Sequence, residues 1–207
     1  MRGTRIVIFA KAPVPGKAKT RLAPALGTSG AARLAHRMLL DTWRQAKAVH
    51  VADAELCVAP DPSDDEWQGL LPLSAAPVSS QSGGDLGQRL ARAAERVIAG
   101  GERIVLIGTD CPGLTTRRLT DACRELEGHE AVIHPTFDGG YALLGLSRFD
   151  PSIFSGIEWS TSSVASETMG RVRALGWSLH LGETLRDIDE PADLEATTPP
   201  GELSRRA

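Results

Sequence analysis

The sequence has little that would point to a secreted, membrane-bound or disulfide-linked protein. Its three cysteines, Cys57, Cys111 and Cys123, are an odd number at unrelated spacings, so they indicate neither a disulfide framework nor a zinc site. Reduced thiols are typical of the cytoplasm. The stretch MRGTRIVIFAKAP has only about five consecutive apolar residues, too few for a signal-peptide core or a membrane span. We therefore expect a cytoplasmic protein.

The sequence also lacks an excess of charge of one sign. Lysine and arginine total 23, aspartate and glutamate total 26, and the formal net charge is -3. This balance argues against a general nucleic-acid or membrane-surface partner, which would need a wide basic face. The 207 residues have room for one sizeable domain. The oligomeric state stays open, since four tryptophans could pack in the core or at an interface: Trp43, Trp67, Trp159 and Trp177.

What the sequence does contain is an alternation of strand and helix patterns. Apolar, β-branched stretches predict strands at 5–9, 55–59, 77–81, 103–108, 130–135, 141–146 and 177–182. Helical periodicity predicts helices at 30–49, 85–100, 115–128 and 161–175. Strands that are apolar throughout and alternate with helices indicate a mostly parallel sheet covered on both faces. The last long strand follows its neighbour after a five-residue break containing Gly139-Gly140, so that pair could be antiparallel.

This order of elements predicts one Rossmann-like α/β domain over residues 1–196. A flexible tail is predicted at 197–207, where the periodicity is lost. In sheets of this kind, ligands gather at the carboxyl ends of the strands, where loops lead into helices. Four polar clusters of the sequence lie at such positions, and this coincidence is the main evidence for function.

The first cluster is the segment FAKAPVPGKAKTRLAP (9–24), which follows the first strand and contains Lys11, Lys17, Lys19 and Arg21. Its prolines and glycine favour a non-helical loop. The cations could neutralise phosphate charge, and Arg21 could bind two oxygens at once. The glycine fingerprint of dinucleotide folds and the phosphate-loop signature are both missing. A solvated basic loop is the alternative, but the position after the first strand favours phosphate binding.

Two further clusters supply carboxylates. Asp110 in GTDCPGL follows a buried strand, where packing explains a carboxylate poorly, and it could hold Mg²⁺ or Mn²⁺ against phosphate oxygens. Helix capping is the alternative, although Thr115 suits that role better. In RDIDEPADL (186–194), Asp187 and Asp189 alternate along an extended segment, so both would point the same way. Capping could explain Asp189 but not Asp187.

The fourth cluster consists of the glycine-rich stretches GGDLGQRL (83–90) and FDGGYALLG (137–145). Their glycines permit close approach of the backbone to a ligand, and a helix that begins at Asp85 offers free N–H groups. Ordinary turn chemistry is the alternative. Cys111 and His134 are interpreted as packed residues rather than as a nucleophile and a base.

In this order, FAKAPVPGKAKTRLAP, GGDLGQRL, GTDCPGL, DGGYALLGL, WSTSSVASET and RDIDEPADL resemble the radical-SAM/selenodomain-associated transferases, also described as arsenosugar-biosynthesis-type glycosyltransferases. The resemblance covers Arg5 to about Leu194 and is most specific in the first and fourth strings. It implies a GT-A fold of the nucleotide-diphospho-sugar transferase superfamily. The chain is similar, more distantly, to phospholactate guanylyltransferases, which share an Ala-Lys-Thr-Arg-Leu string like that at 18–22.

The resemblance also implies particular sites. It places the nucleotide against Phe9, Ala10, Lys11, Pro15, Gly16, Lys17, Lys19, Arg21, Gly83, Gly84, Asp85 and Thr109. It implies a divalent metal, Mg²⁺ or Mn²⁺, on Asp110 with Asp187 or Asp189 as a further ligand, because the motif reads Thr-Asp-Cys rather than Asp-X-Asp. The sugar or acceptor would face Asp138, Gly139, Gly140, Tyr141 and Trp159. Ser162 stands where the family pattern has an acid.

Two reactions stay open on this sequence. A glycosyltransferase would hold a nucleotide sugar through a divalent ion and pass the sugar to a small-molecule acceptor. A nucleotidyltransferase would hold a nucleoside triphosphate and release pyrophosphate, which the cationic loop favours. We rank sugar transfer first, with Asp110, Lys19 and Arg21 as catalytic residues and Asp138 as the base. A catalytically idle nucleotide-binding module is a third interpretation, in which the acids would have no role.

Overall fold

A computed structural model describes residues 2–70 and 76–197. Its strands are β1 (Thr4–Lys11), β2 (Asp53–Ala59), β3 (Val78–Ser80), β4 (Arg103–Ile107), β5 (Ala131–Pro135), β6 (Tyr141–Leu146) and β7 (Leu179–Leu181). Its helices are α1 (Ala23–Lys47), α2 (Leu86–Ala99), α3 (Thr116–Glu125), α4 (Val164–Ala174) and α5 (Pro191–Thr197). Short 3₁₀ turns occupy Thr20–Leu22, Asp65–Trp67 and Pro151–Ile153. The predicted strands are confirmed, with ends that differ by one or two residues.

The seven strands form one sheet in the order β3-β2-β1-β4-β6-β5-β7. Neighbouring strands are parallel except that β6 runs antiparallel to both β4 and β5. The mostly parallel sheet and the antiparallel orientation of 141–146 are therefore confirmed. The short link between β5 and β6 accounts for the reversal, because a parallel neighbour would need a crossover of a dozen or more residues.

Both faces of the sheet are covered by helices, as the continuous apolar strands predict. In β1, Ile6 and Ile8 belong to the cluster that contains Leu39 of α1 and Leu119 of α3. Val7, between them, belongs to the opposite cluster with residues of α2 and α4. The two-residue period of a strand thus places alternate side chains in two cores.

Helix α1 consists of a short first segment, which its periodicity does not predict, and a main helix after a break at Gly27. The predicted range 30–49 corresponds to the part of α1 after the non-helical Gly27 (φ 68°, ψ 162°), and the short segment before that break starts at Ala23 with Pro24 in its first turn. Proline is tolerated in a first turn because the N–H it lacks would have no helical partner there. At the carboxyl end, α5 reaches Thr197, and the rest of the predicted tail, 198–207, lies outside the described residues.

The order of the strands creates a switch point between β1 and β4. From β1 the chain continues to β2 on one side, and β4 later pairs with β1 on the other side. The loops that follow the two strands therefore separate and leave a crevice at their carboxyl ends. The segment after Lys11 and the segment after Ile107 border this crevice.

Candidate active site

A cleft of about 650 Å³ opens at the carboxyl ends of β1 and β4. The sequence-predicted site residues that line it are Phe9, Ala10, Lys11, Lys17, Lys19, Arg21, Gly84, Asp85, Thr109, Asp110, Trp159 and Asp189. Pro15, Gly16, Gly83 and Asp187, which were also predicted, do not line it. Tertiary structure thus gathers residues from the loops after β1 and β4, the start of α2 and the segment before α5.

Lys19 is the centre of the polar network in this cleft. Its Nζ lies 2.5 Å from Asp110 Oδ1 and 2.6 Å from Asp189 Oδ1. The same ammonium donates a hydrogen bond to the Ile188 carbonyl oxygen at 2.5 Å. The Lys19 side chain is 7% exposed, whereas those of the two aspartates are 47% and 42% exposed. One buried cation therefore joins two half-exposed carboxylates, and the trio has a net charge of -1.

Backbone geometry holds the three groups together. Lys19 has a left-handed conformation (φ 47°, ψ 45°) directly before the 3₁₀ turn that buries Leu22. The Ile188 N–H donates to the Asp110 carbonyl at 2.8 Å, and the Ile188 side chain is buried. A non-glycine residue in the left-handed region is strained unless its surroundings hold it there. Here the ion pairs with two distant segments supply that constraint.

Asp187 lies beside other carboxylates. It is half-buried, and burial raises its pKa above the ordinary carboxyl value, with further contributions from the charge of Asp138 and then from those of Asp189 and Asp193. Asp187 and Asp189 flank the buried Ile188, as alternation along an extended segment requires. The acids at this edge therefore repel one another, and a bound cation would relieve that repulsion.

These acids fit a divalent metal ion. The Asp110 and Asp189 oxygens converge on a single cationic atom, so the site already accommodates a positive charge between them. Carboxylate oxygens are the ligands that Mg²⁺ and Mn²⁺ prefer. Asp187 is near enough to add to the negative field around that position. Asp110 and Asp189 are thus the residues that could hold such an ion, whereas Asp187 lies outside the cleft lining and contributes negative charge.

The other cations of the opening loop differ in how far they are neutralised. Lys17 pairs with Glu66 and is 66% exposed. Arg21 lies 4.0 Å from Glu190, and both side chains are exposed. Lys11 forms no ion pair with any residue of 2–70 or 76–197. The loop therefore offers less free positive charge than its composition predicts.

A smaller pocket of about 240 Å³ adjoins the cleft and shares five lining residues with it: Phe9, Leu86, Gly108, Trp159 and Ser160. Predicted acceptor residues Asp138, Gly140 and Tyr141 line it, together with apolar side chains such as Leu90 and Val164. The Tyr141 hydroxyl is buried, and it has no hydrogen-bond partner among the described residues. Burial raises the pKa of this hydroxyl well above its ordinary value, so it stays protonated and can donate.

Two glycines near the pocket allow close contacts between neighbouring segments. A Cβ at Gly87 would lie 2.7 Å from Trp159 Nε1, so glycine lets the indole pack on the start of α2. At Gly139 (φ 91°), a Cβ would collide with the backbone carbonyl of Ser162. Gly139 itself does not line either pocket. Its position is explained by the close packing of this turn against the segment that leads into α4.

Asp138 and Asp85 both have structural partners. Asp138 is exposed and accepts hydrogen bonds from Thr136 Oγ1 at 2.5 Å and from the Gly140 N–H at 3.0 Å. Asp85 caps α2, since its Oδ1 accepts from the Gln88 N–H at 2.8 Å while Gln88 Oε1 accepts from the Asp85 N–H at 3.1 Å. This reciprocal pair is a capping box. The start of α2 is therefore rigidly placed at the cleft.

Sequence reasoning missed four polar residues of the cleft, Thr20, Gln81, Arg89 and Ser160. The buried Gln81 amide donates to the carbonyls of Ala10 at 3.1 Å and Cys57 at 2.9 Å, which ties together the ends of β1 and β2. Arg89 Nε donates to the Gly84 carbonyl at 2.8 Å. Arg89 stands in the GGDLGQRL string, one helical turn after Asp85. A basic residue one turn after the predicted start of α2 lies on the same side of the helix as that start, and this spacing could have predicted Arg89 as a cleft residue.

Cys111 and His134 have the surroundings of packed residues. Burial raises the pKa of the Cys111 thiol, and its Sγ donates to the Arg186 carbonyl at 3.2 Å. Burial lowers the pKa of the His134 imidazole, whose Nδ1 lies 3.1 Å from the Glu183 carbonyl oxygen. Neither residue lines the cleft or the smaller pocket. Both are therefore neutral side chains outside the site.

Comparison with protein families gives one match. Residues 42–161 match DUF2064, a family described as an uncharacterized protein conserved in bacteria. None of the curated proteins compared with the chain matches it. No helix within the described ranges is long and apolar enough to cross a membrane.

Among solved structures, the chain is similar to a "putative nucleotide-diphospho-sugar transferase" from Desulfovibrio desulfuricans G20. The two are 30% identical with a TM-score of 0.86, over 100% of this chain and 92% of that one. The fold is also similar to a CMP:2-keto-3-deoxy-manno-octonic acid synthetase complexed with CTP (11% identity, TM-score 0.55, 94% and 96% covered). A third similar fold is that of Mycobacterium tuberculosis H37Rv Rv0371C in complex with manganese (16% identity, TM-score 0.51, 95% and 97% covered). The GT-A-like fold is therefore confirmed.

Proposed function

The chain belongs to the DUF2064 family, and from that premise we propose that it is a metal-dependent glycosyltransferase that uses a nucleotide sugar. The observation that carries the proposal is the position of Lys19 between Asp110 and Asp189 in the switch-point cleft. A cation-binding pair of acids at that place is what a diphosphate-bound divalent ion requires. The D. desulfuricans protein, described as a "putative nucleotide-diphospho-sugar transferase", supports the same reaction class.

In this proposal the nucleotide occupies the cleft. The base and ribose contact the region of Gly84, Asp85, Gln81 and Arg89, which the capping box and the Gln81 amide hold in place. The diphosphate lies toward Lys11 and Arg21, both exposed at the cleft wall. Arginine can bind two phosphate oxygens at once. In this arrangement the loop after β1 supplies positive charge to the diphosphate, and the start of α2 supplies a rigid surface for the base and ribose.

Asp110 and Asp189 would hold the metal, with Asp187 next to them. When bound, Mg²⁺ or Mn²⁺ would stabilise the negative charge that develops on the diphosphate leaving group. The manganese in the Rv0371C structure is in keeping with this choice of ion. Lys19 holds the two carboxylates close together at neutral pH, so their alignment does not depend on the ion.

The acceptor and the sugar would occupy the smaller pocket. Trp159 and Tyr141 form its walls, and the Tyr141 hydroxyl is a hydrogen-bond donor without a protein partner among the described residues. Asp138 is placed at the pocket rim and would take the acceptor proton. Its carboxylate is oriented by the Thr136 hydroxyl and the Gly140 N–H, which fixes the direction from which it accepts a proton.

The second candidate reaction is nucleotidyl transfer from a nucleoside triphosphate. Lys11, which is unpaired within the described chain, and the fold shared with a CTP-bound synthetase favour it. Against it, Glu66 neutralises Lys17, Glu190 lies beside Arg21, and Lys19 is shared between two acids. A triphosphate carries more negative charge than the diphosphate of a nucleotide sugar. The partly neutralised loop therefore suits the sugar donor better.

Three finer points belong to the proposal. The motifs that resemble radical-SAM/selenodomain-associated transferases favour an acceptor from arsenosugar-type biosynthesis. The transferase domain would span 1–196, with 197–207 as a tail. A cytoplasmic location is supported by three free cysteines, all buried.

A thermal-shift panel tests the proposed function. Nucleotide sugars, nucleoside diphosphates and nucleoside triphosphates are each added with Mn²⁺, Mg²⁺ or a chelator. A ligand at a hundred times its Kd stabilises by about 2.7 kcal/mol, which raises the Tm of a domain of this size by about 5–11 °C. We expect the largest metal-dependent shift with one nucleotide sugar.

The control for this panel is Asp121→Asn, which changes an exposed aspartate on α3 and should keep the wild-type shift. Asp189→Asn should lose most of it. A larger shift with a triphosphate would replace glycosyl by nucleotidyl transfer. Nucleotide shifts that are equal in metal and in chelator would contradict the metal-dependent mechanism.

A further inference from the structure

A second group of metal-ligand side chains lies away from the cleft, at the edge of the sheet. Glu125, His129 and His180 each offer one ligand atom, and these atoms lie within 4.8 Å of one another. Glu125 ends α3, His129 follows four residues later, and His180 lies in the edge strand β7. Each side chain is 34–40% exposed. The group is therefore reachable from solvent.

The distances in this group match those between ligands of one small ion. Glu125 Oε2 lies 3.3 Å from His129 Nδ1 and 3.2 Å from His180 Nδ1. For a tetrahedral ion with bonds of about 2.0–2.1 Å, neighbouring ligand atoms are separated by about 3.3 Å. The two imidazoles lie at 65° to each other with ring centroids 5.5 Å apart, so they approach the carboxylate from different sides.

The charge of Glu125 also favours a bound cation. Among the described residues, no lysine or arginine forms an ion pair with Glu125, whose charged-group partners are the two imidazoles. A neutral imidazole compensates a carboxylate only through a hydrogen bond, whereas a divalent ion would neutralise it. His129 Nδ1 also lies 3.0 Å from the Glu125 carbonyl oxygen, and that contact would be exchanged for the metal bond when the imidazole nitrogen gives up its proton.

We propose that Glu125, His129 and His180 bind a divalent transition-metal ion, with Zn²⁺ as the best match. Two imidazoles and one carboxylate suit Zn²⁺ and its neighbours in the first transition row, whereas Mg²⁺ and Ca²⁺ prefer oxygen alone. A water molecule would complete four-coordination. The proposal is independent of the cleft, because α3 has ten residues and separates its two ends by about 15 Å.

Such an ion would fasten the edge strand to the helix. β7 has three residues and pairs with β5, with His180 opposite Val132. Leu179 packs into the core on the α4 face, so His180 points to the opposite face, where α3 lies. A metal bond from β7 to α3 would hold this short edge strand in the sheet, and exposed edges are the part of a sheet most prone to mispairing.

Zinc binding to the full chain tests the proposal. Isothermal titration with Zn²⁺ is done in excess Mg²⁺, which competes for the oxygen-only acids of the cleft. We expect one Zn²⁺ per chain in the wild type and in Asp110→Asn, and a Kd at least about tenfold weaker in His180→Ala. His50→Ala, which removes an exposed histidine outside the group, is the matched control and should bind as the wild type does.

Two measurements separate a lost ligand from a lost fold. In chelator, His180→Ala and Glu125→Gln should keep the wild-type Tm, and Co²⁺ should give tetrahedral visible absorption bands in the wild type but not in either variant. Zn²⁺ should also slow hydrogen exchange of the β7 amides. Absence of stoichiometric binding by the wild type, or equal Zn²⁺ affinity in the wild type and both variants, would overturn the proposal.

Discussion

Two polar groups lie toward opposite ends of α3, and their carboxylates are balanced in different ways. At the cleft, Asp110 and Asp189 share the buried Lys19 ammonium. At the β7 edge, the charged-group partners of Glu125 within residues 2–70 and 76–197 are the imidazoles of His129 and His180. The cleft therefore has an ammonium group of the protein between its carboxylates, whereas the edge carboxylate lies between two imidazoles.

This difference shows how ligand chemistry and internal charge select an ion. Oxygen ligands around Lys19 favour a hard cation that binds phosphate at the same time. Nitrogen ligands around Glu125 favour a transition metal held by the protein alone. Because Lys19 already offsets part of the acid charge, a metal in the cleft gains most from an anionic ligand. We therefore expect metal and nucleotide to bind the cleft together.

The largest expected effect comes from Asp110→Asn, which removes a proposed metal ligand from the cleft and leaves the edge group unchanged. We expect metal-dependent release of nucleoside diphosphate from the nucleotide sugar to fall at least about a hundredfold, since metal stabilisation of a leaving group is worth several kcal/mol. Steady-state kinetics of the donor identified by thermal shift would measure it. Turnover within a few-fold of the wild type would remove Asp110 from the site.

A smaller effect is expected from removing the internal counter-ion with Lys19→Met. The two carboxylates would then face each other, and we expect a loss of about 1–3 kcal/mol in unfolding free energy, less than for a fully buried pair because both aspartates are half-exposed. Urea denaturation measures this loss, and Mn²⁺ should recover part of it.

Lys17→Met is the matched control, two positions away in the same loop. Its ion pair with Glu66 is exposed, so the change should cost less than about 0.5 kcal/mol. Equal losses for the two lysine variants would mean that the Lys19 ion pairs do not stabilise the cleft.

The smallest effect is expected from Asp187→Asn and depends on pH. Burial and neighbouring acids raise the folded-state pKa of Asp187 above its ordinary value of 3.8. The folded protein therefore binds this proton more tightly than the unfolded chain, and stability is lost as pH rises from the unfolded towards the folded pKa. Asparagine avoids that loss, so we expect a metal-free Tm about 1–3 °C above the wild type at pH 7.

Thermal denaturation at pH 7 and at pH 4 would show whether this gain has the expected cause. At pH 4, close to the ordinary pKa, the difference between Asp187→Asn and the wild type should largely vanish. With Mn²⁺ at pH 7 it should shrink, because the ion relieves the same repulsion. A Tm difference that is the same at both pH values would show that ionisation of Asp187 is not its cause.

Much of the fold could be predicted from local patterns. The apolar β-branched stretches locate each strand, and the five-residue link at Gly139-Gly140 indicates the antiparallel β6. The short helical segment before the break at Gly27 was not predicted, because its proline and glycine are typical of loops. In the cleft, Lys19, Asp110 and Asp189 were predicted as site residues, but their mutual ion pairs were not. Lys19 and Asp189 are 170 positions apart, and no local pattern encodes such a contact.

The sequence by itself determined that this is an α/β chain with cations after the first strand, one acid after the fourth and two after the seventh, because strand periodicity and turn residues act over a few positions. Only the tertiary structure decided which of these charged side chains form ion pairs with one another. That depends on the strand order, which places β1 beside β4 and β7 at the edge beside α3. Strand order is set by the burial of two whole sheet faces, so it is a property of the complete core rather than of any one segment.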